Sequence, residues 1–132
     1  MNYTDIISKW KEKKIDSIEK LDQQLSNFRI TFAYNSGTIE NQQITYHATR
    51  EVFENGKVIN FCGDTQTIFE IENQKKCYNF LVPKIINKDP ITSDLIKKIH
   101  YQLMQGVYDE HRWQKGERPG HYKIHDYVIG KS

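Results

Sequence analysis

Apolar residues return every three or four positions along most of the chain, and polar stretches holding turn and cap residues separate these runs. That spacing puts the apolar side chains on one face of an α-helix. Thr4 or Asp5 opens the first run, in which Ile6, Ile7 and Trp10 share a face. Asp16 or Ser17 punctuates before a longer one. There Ile18, Leu21, Leu25, Phe28 and Phe32 recur, Ile15 and Ile30 widen the stripe, and a single helix is predicted over residues 15–35. Thr45 reads as the N-cap of YHATREVFEN, which closes at Asn55-Gly56 because Gly accepts the left-handed conformation that ends helices. Asp64 or Thr65 starts a helix carrying Ile68, Ile71, Tyr78, Leu81 and Val82. It is expected to stop at Pro83, which lacks the amide a helix needs, leaving KIINKDP as a loop. Thr92 caps a helix with Leu95, Ile96, Ile99 and Leu103 on one face, ending at Gly106. VYDEHRWQKGERPG is then rich in turn residues, and HYKIHDYVIGKS alternates apolar and polar about His125-Asp126. Alternation is the period of a strand. The pattern predicts a mainly α domain of about five helices with a C-terminal β-hairpin over residues 120–130.

Composition narrows this further. A chain of 132 residues suits one domain, and 37% hydrophobic with 27% charged residues suits a folded one. Nineteen basic residues against seventeen acidic ones leave a net charge of +2. The lysines are scattered, and the one basic run, KWKEKK, reads as a solvated helix face, so nucleic acid is not an expected partner. No apolar stretch approaches a membrane span, and MNYTDIISKWKEKK lacks the order of a signal peptide. A cytoplasmic protein with no membrane partner is expected. Cys62 and Cys77 are too few for a disulfide framework or a zinc cluster, and Cys77 is expected to pack as a small hydrophobe.

The most unusual stretch runs from Tyr34 to Thr45, YNSGTIENQQIT. Ser36 can cap a new turn, Gly37 to Ile39 would form it, and Asn41 can close it in the left-handed conformation. Residues 36–41 are thus expected to form a separate single-turn helix presenting Glu40 at its C-terminal end. The helix dipole disfavours an anion there, so Glu40 either faces water or answers to a partner. Elsewhere the bland readings win. His111, His121 and His125 are taken as surface residues rather than a metal site. His100, beside Ile96 and Ile99, is taken as a satisfied structural histidine. Asp64, Glu70 and Glu72 are taken as a helix cap and its exposed face.

Ser36-Gly37-Thr38-Ile39-Glu40-Asn41 resembles the inhibitory motif of the Fic family, (Ser or Thr)-x-x-x-Glu-(Gly or Asn). Three further segments resemble that family in the same order: FEIENQKKCYNFL (69–81), SDLIKKIHYQLMQGV (93–107) and PGHYKIHDYVIG (119–130). The resemblance covers about residues 25 to 130. It implies leading helices over 1–35, an inhibitory helix over 36–41, core helices over 42–106 and a flap over 120–130. Family members transfer AMP from ATP, with Mg²⁺, to a Ser, Thr or Tyr hydroxyl of a target protein. The resemblance assigns Ser36, Glu40 and Asn41 to the inhibitory motif. It assigns Gly120, Tyr122, Lys123, Ile124, Val128 and Ile129 to the flap that holds the target protein.

The chemistry of such enzymes needs a loop of the form His-x-Phe-x-(Asp or Glu)-Gly-Asn-Gly-Arg, and none of the five histidines opens one. The chain therefore resembles the N-terminal part of a Fic domain, either a fragment or a naturally short product. By itself it is expected to have no catalytic residue, metal or cofactor, and to be inactive. If the missing helices normally cover Leu and Ile faces here, the chain is expected to expose an apolar patch and to dimerise or aggregate, which allows a homo-oligomer. Two other readings fit the residues: an antitoxin-like partner that supplies an inhibitory helix to another Fic domain, and a plain helical interaction module.

Overall fold

The structure, a computed structural model, describes residues 2–58, 61, 63–107 and 110–124. Seven helices form among these: α1 (Tyr3–Glu12), α2 (Ile18–Leu25), α3 (Phe28–Glu40), α4 (Tyr46–Asn55), α5 (Thr65–Ile86), α6 (Ser93–Leu103) and α7 (Glu110–Gln114). The protein is mainly α, and no strand occurs among the described residues. None of these helices is long and apolar enough to cross a membrane.

Local chemistry sets most of the helix starts. The side chains of Ser17, Thr45 and Thr92 accept from the backbone amides of Lys20, Ala48 and Leu95, each three residues on. A cap of this kind contributes about 1 kcal/mol. Asn2, rather than Thr4 or Asp5, caps α1, and Asp5 returns the favour to the Asn2 amide. Gly56 closes α4 at φ +79, as the sequence predicts.

The structure departs from the sequence pattern in three places. The helix expected over 15–35 is two helices. Ser26 keeps helical angles, but α2 ends at Leu25 and α3 begins at Phe28. The Ser26 hydroxyl turns back to the Gln23 carbonyl, and Arg29 Nε donates to the Ser26 carbonyl. Pro83 does not end α5, which continues to Ile86. Pro83 and Asn79 are both exposed, so water can serve the Asn79 carbonyl that Pro83 leaves without a helical donor. The following turn is held by the Asn87 amide donating to the Pro83 carbonyl. KIINKDP is therefore helical as far as Ile86. Thirdly, α3 runs unbroken to Glu40, with consequences described below.

Helix α5 is the centre of the fold and packs against α2, α3, α4 and α6. Ile44, Ala48, Val52 and Ile71 form one buried cluster, and Ile30, Ala33 and Phe53 another. Each large aliphatic or aromatic side chain removed from water there contributes roughly 1.5–3 kcal/mol. Cys77 is buried on α5 and burial pushes its thiol pKa up, as befits a packed hydrophobe. By contrast α1 buries nothing, although Ile6, Ile7 and Trp10 do share a face.

Candidate functional site

The last turn of α3 carries the proposed inhibitory residues. Ser36 lies inside the helix and caps nothing. The separate helix expected over 36–41 is the C-terminal turn of α3. The reason is Gly37, which is buried against Ile44: a β-carbon there would lie 2.9 Å from Ile44 Cδ1. Close approach, not a new helix start, explains the glycine. Glu40 is the final helical residue, as expected, and its side chain is exposed. Among the described residues no hydrogen bond or ion pair engages its carboxylate.

Asn41 follows in an extended conformation, φ −145 and ψ 106, not the left-handed one the sequence suggested. It has no need of left-handed closure because its side chain ends the helix by reaching across to α5. Its amide nitrogen donates to Thr67 Oγ1 at 3.0 Å and to Glu70 Oε2 at 2.8 Å. Its amide oxygen accepts from the Gln43 amide at 2.9 Å, which turns the chain toward α4. Glu70 thus departs from the solvent-facing role expected of it. It is half-buried, and its second oxygen accepts from Gln66. Asp64 does stand at the N-cap of α5, though without a side-chain cap bond.

One turn further along α5, Asn73 is 2% exposed. Its amide nitrogen donates to the carbonyls of Leu103 at 3.1 Å and Gln105 at 2.7 Å. These are acceptors at the end of α6 that the helix cannot satisfy itself. On α6, His100 Nδ1 accepts from the Gly120 amide at 2.9 Å, so His100 is the structural histidine the sequence implies. Burial, with Arg112 and Lys123 nearby, holds its pKa below the usual imidazole value. That keeps Nδ1 free of a proton, as an acceptor requires.

Residues 116–124 wrap into a compact turn. Gly120 adopts φ +81 and lies so close to α6 that a β-carbon would sit 3.0 Å from Tyr101 Cβ and 3.1 Å from the Lys97 carbonyl. Glu117, 1% exposed, accepts from the Ile124 amide at 2.9 and 3.1 Å. Arg118 lies 3.6 Å over the Trp113 ring and donates to the Trp113 and Glu117 carbonyls. Lys97 sits 4.4 Å over the Tyr122 ring. Of the flap residues, Gly120, Tyr122, Lys123 and Ile124 are described, and none forms a strand. Val128 and Ile129, like His125, lie outside the described residues, as does most of the hairpin expected over 120–130. Sequence reasoning missed Glu117. A carboxylate between Gly116 and Pro119 looks like a solvated turn, and nothing in the sequence marks its burial.

His111 and His121 are exposed, and no group of three His, Cys, Asp or Glu side chains among the described residues could hold a metal ion. Comparison of the chain with models of known families, with curated proteins and with solved structures finds no match.

Proposed function

We propose that the chain is the N-terminal portion of a self-inhibited Fic-type protein adenylyltransferase, with Glu40 as its brake. One observation carries the reading. The four segments that resemble the family are joined in order by side-chain hydrogen bonds from residues of those motifs. Asn41 ties the first segment to Glu70 of the second, Asn73 of the second holds Leu103 of the third, and His100 of the third holds Gly120 of the fourth. These bonds put residues of the four segments at the contacts between them, which is what supports the reading.

On this reading, what the chain's residues do is aim a carboxylate. Glu40 ends α3 at the pole where the helix dipole repels it, so a guanidinium brought to it would relieve that penalty and could be bound bidentately. Asn41, donating twice to α5 and accepting once from Gln43, anchors the end of the helix that carries Glu40. An arginine held by Glu40 is one denied to the γ-phosphate of ATP, and alignment for in-line transfer is then lost. Three of the four arginines have partners that draw them elsewhere. Arg29 lies over Phe53 and Tyr78, Arg50 pairs with Glu54, and Arg118 stacks on Trp113. The chain's own residues do not suffice for ATP or Mg²⁺, because the base, the metal carboxylate and the Gly-rich turn of the family motif are absent from its sequence. The guanidinium belongs to that loop.

The test compares AMP transfer from labelled ATP to protein by a polypeptide joining this chain to the His-x-Phe-x-(Asp or Glu)-Gly-Asn-Gly-Arg loop, with and without Glu40→Gly. Transfer should rise at least tenfold in the variant. Equal transfer would end the inhibitory reading.

A further inference from the structure

Glu40 is the last residue of α3, and the end of a helix opens at almost no cost in free energy unless something ties it down. A carboxylate that is to hold a guanidinium needs its own support held still. The tie comes from one side of α5. Asp64, Thr67 and Glu70 are spaced three apart, which stacks them along that side. The side-chain amide of Asn41 donates to Thr67 Oγ1 and to Glu70 Oε2. Gln43 donates to Asp64 Oδ2 at 3.4 Å and accepts from the Asp64 amide at 3.4 Å. The backbone of Asn41 closes the turn, its amide donating to the Gly37 carbonyl and its carbonyl accepting from the Ile44 amide.

We infer that Glu70 is a positioning residue for Glu40: acting through Asn41, it holds the last turn of α3 closed and so sets how firmly the brake engages its arginine. The inference rests on the function proposed above. The partners of Asn41 are unequal. Thr67 is fully buried and offers a neutral hydroxyl, at 3.0 Å. Glu70 offers a carboxylate at 2.8 Å, and hydrogen bonds to a carboxylate are about twice as strong as neutral ones. Gln66, one turn back on α5, donates to the other Glu70 oxygen and steadies it. The bond between Asn41 and Glu70 has a direction, because a carboxylate only accepts and the amide supplies the proton. Asn41→Asp therefore sets two carboxylates against each other while keeping an acceptor for the Gln43 amide. Glu70→Gln keeps an oxygen that can accept. The two substitutions together restore a donor and an acceptor with their sides exchanged.

The experiment has two readouts. Hydrogen exchange on the chain itself reports the anchor, whatever the chain's function. In Asn41→Asp the amides of Glu40 and Asn41 should lose about fivefold in protection, the equivalent of one hydrogen bond, and adding Glu70→Gln should return it. AMP transfer by the polypeptide that joins this chain to the catalytic loop reports the brake. Asn41→Asp should raise transfer about fivefold, Glu70→Gln should change it little, and the pair should return it to the parent level. With Glu40→Gly already present, Asn41→Asp should add nothing, since no carboxylate is left to aim. Circular dichroism checks the helices, and Glu70→Ala, which removes only the acceptor, takes the place of Asn41→Asp if that variant does not fold. Unchanged protection would mean that there is no anchor. Transfer that rises with Glu40→Gly but not with Asn41→Asp would leave the brake standing and overturn the positioning role. So would a pair that fails to restore the parent level, or an effect of Asn41→Asp that persists beside Glu40→Gly, since either would point to a general loss of structure. No rise with Glu40→Gly would end the proposed function, and this inference with it.

Discussion

Asn73 gives the sharpest test of how this fold is held. Its amide spans from the middle of α5 to the end of α6 and donates twice, to Leu103 and Gln105. Replacing it with Ala strands two half-buried carbonyls. Each lost hydrogen bond costs about 1 kcal/mol, and more where the acceptor stays dry. Helix propensity acts the other way, since Ala is better than Asn inside a helix by about 0.5 kcal/mol. The net loss should be about 2 kcal/mol, or roughly 6–10 °C in Tm for a chain of this size. Urea unfolding followed by circular dichroism measures it. Asn79→Ala, on the exposed side of the same helix, is the control and should gain a few tenths of a kcal/mol. If Asn73→Ala were as stable as the parent, or matched Asn79→Ala, the cross-helix bonds would contribute nothing, and the interlocking of the four segments would lose its physical meaning.

Three further outcomes are expected. Gly120→Ala should cost about 1–3 kcal/mol because it combines a left-handed φ with a β-carbon pressed on α6, and hydrogen exchange should show the Ile124 amide losing protection. Burial and the hydrogen bond to Asp22 push Tyr78 up to about 12, so its share of stability is present below pH 10 and fades as pH rises toward 12. Phenolate absorbance should show one tyrosine ionising at about pH 12, and Tyr78→Phe should remove it. His100 titrates below the usual imidazole value, so its contribution is full above about pH 6.5 and is lost as pH falls through its folded pKa. His100→Gln should flatten that acid limb, and an unchanged limb would show that His100 does not govern it.

How much of this was legible beforehand depended on the range of the interaction. Thr45, Gly56 and Thr92 act within a few residues of themselves, and the sequence shows them for what they are. Ser36 carries the same local signal and misleads, because the packing of Gly37 on Ile44 lets α3 run through it. Pro83 misleads for a related reason, since an exposed kink near a helix end costs little. The candidate site divides the same way. Glu40 at a helix end was readable from spacing and turn residues. The anchoring of Asn41 to Glu70 joins positions 29 apart, and only the assembled fold brings them together. Glu117 is the extreme case, a carboxylate wrapped by a turn whose composition suggests open water.

The side-chain bonds that link the four segments span from 20 to 32 positions along the chain, while the helices they join close over four. Helices form early and distant contacts form late, because loop-closure entropy must be overcome before a distant contact is rewarded. Asn41, Asn73 and His100 are therefore expected to act as latches, absent while the fold assembles and present once it has closed. Removing one should leave the folding limb of a stopped-flow chevron nearly unmoved and raise the unfolding rate by most of the lost stability. The motif residues would then govern how long the site, once built, stays built.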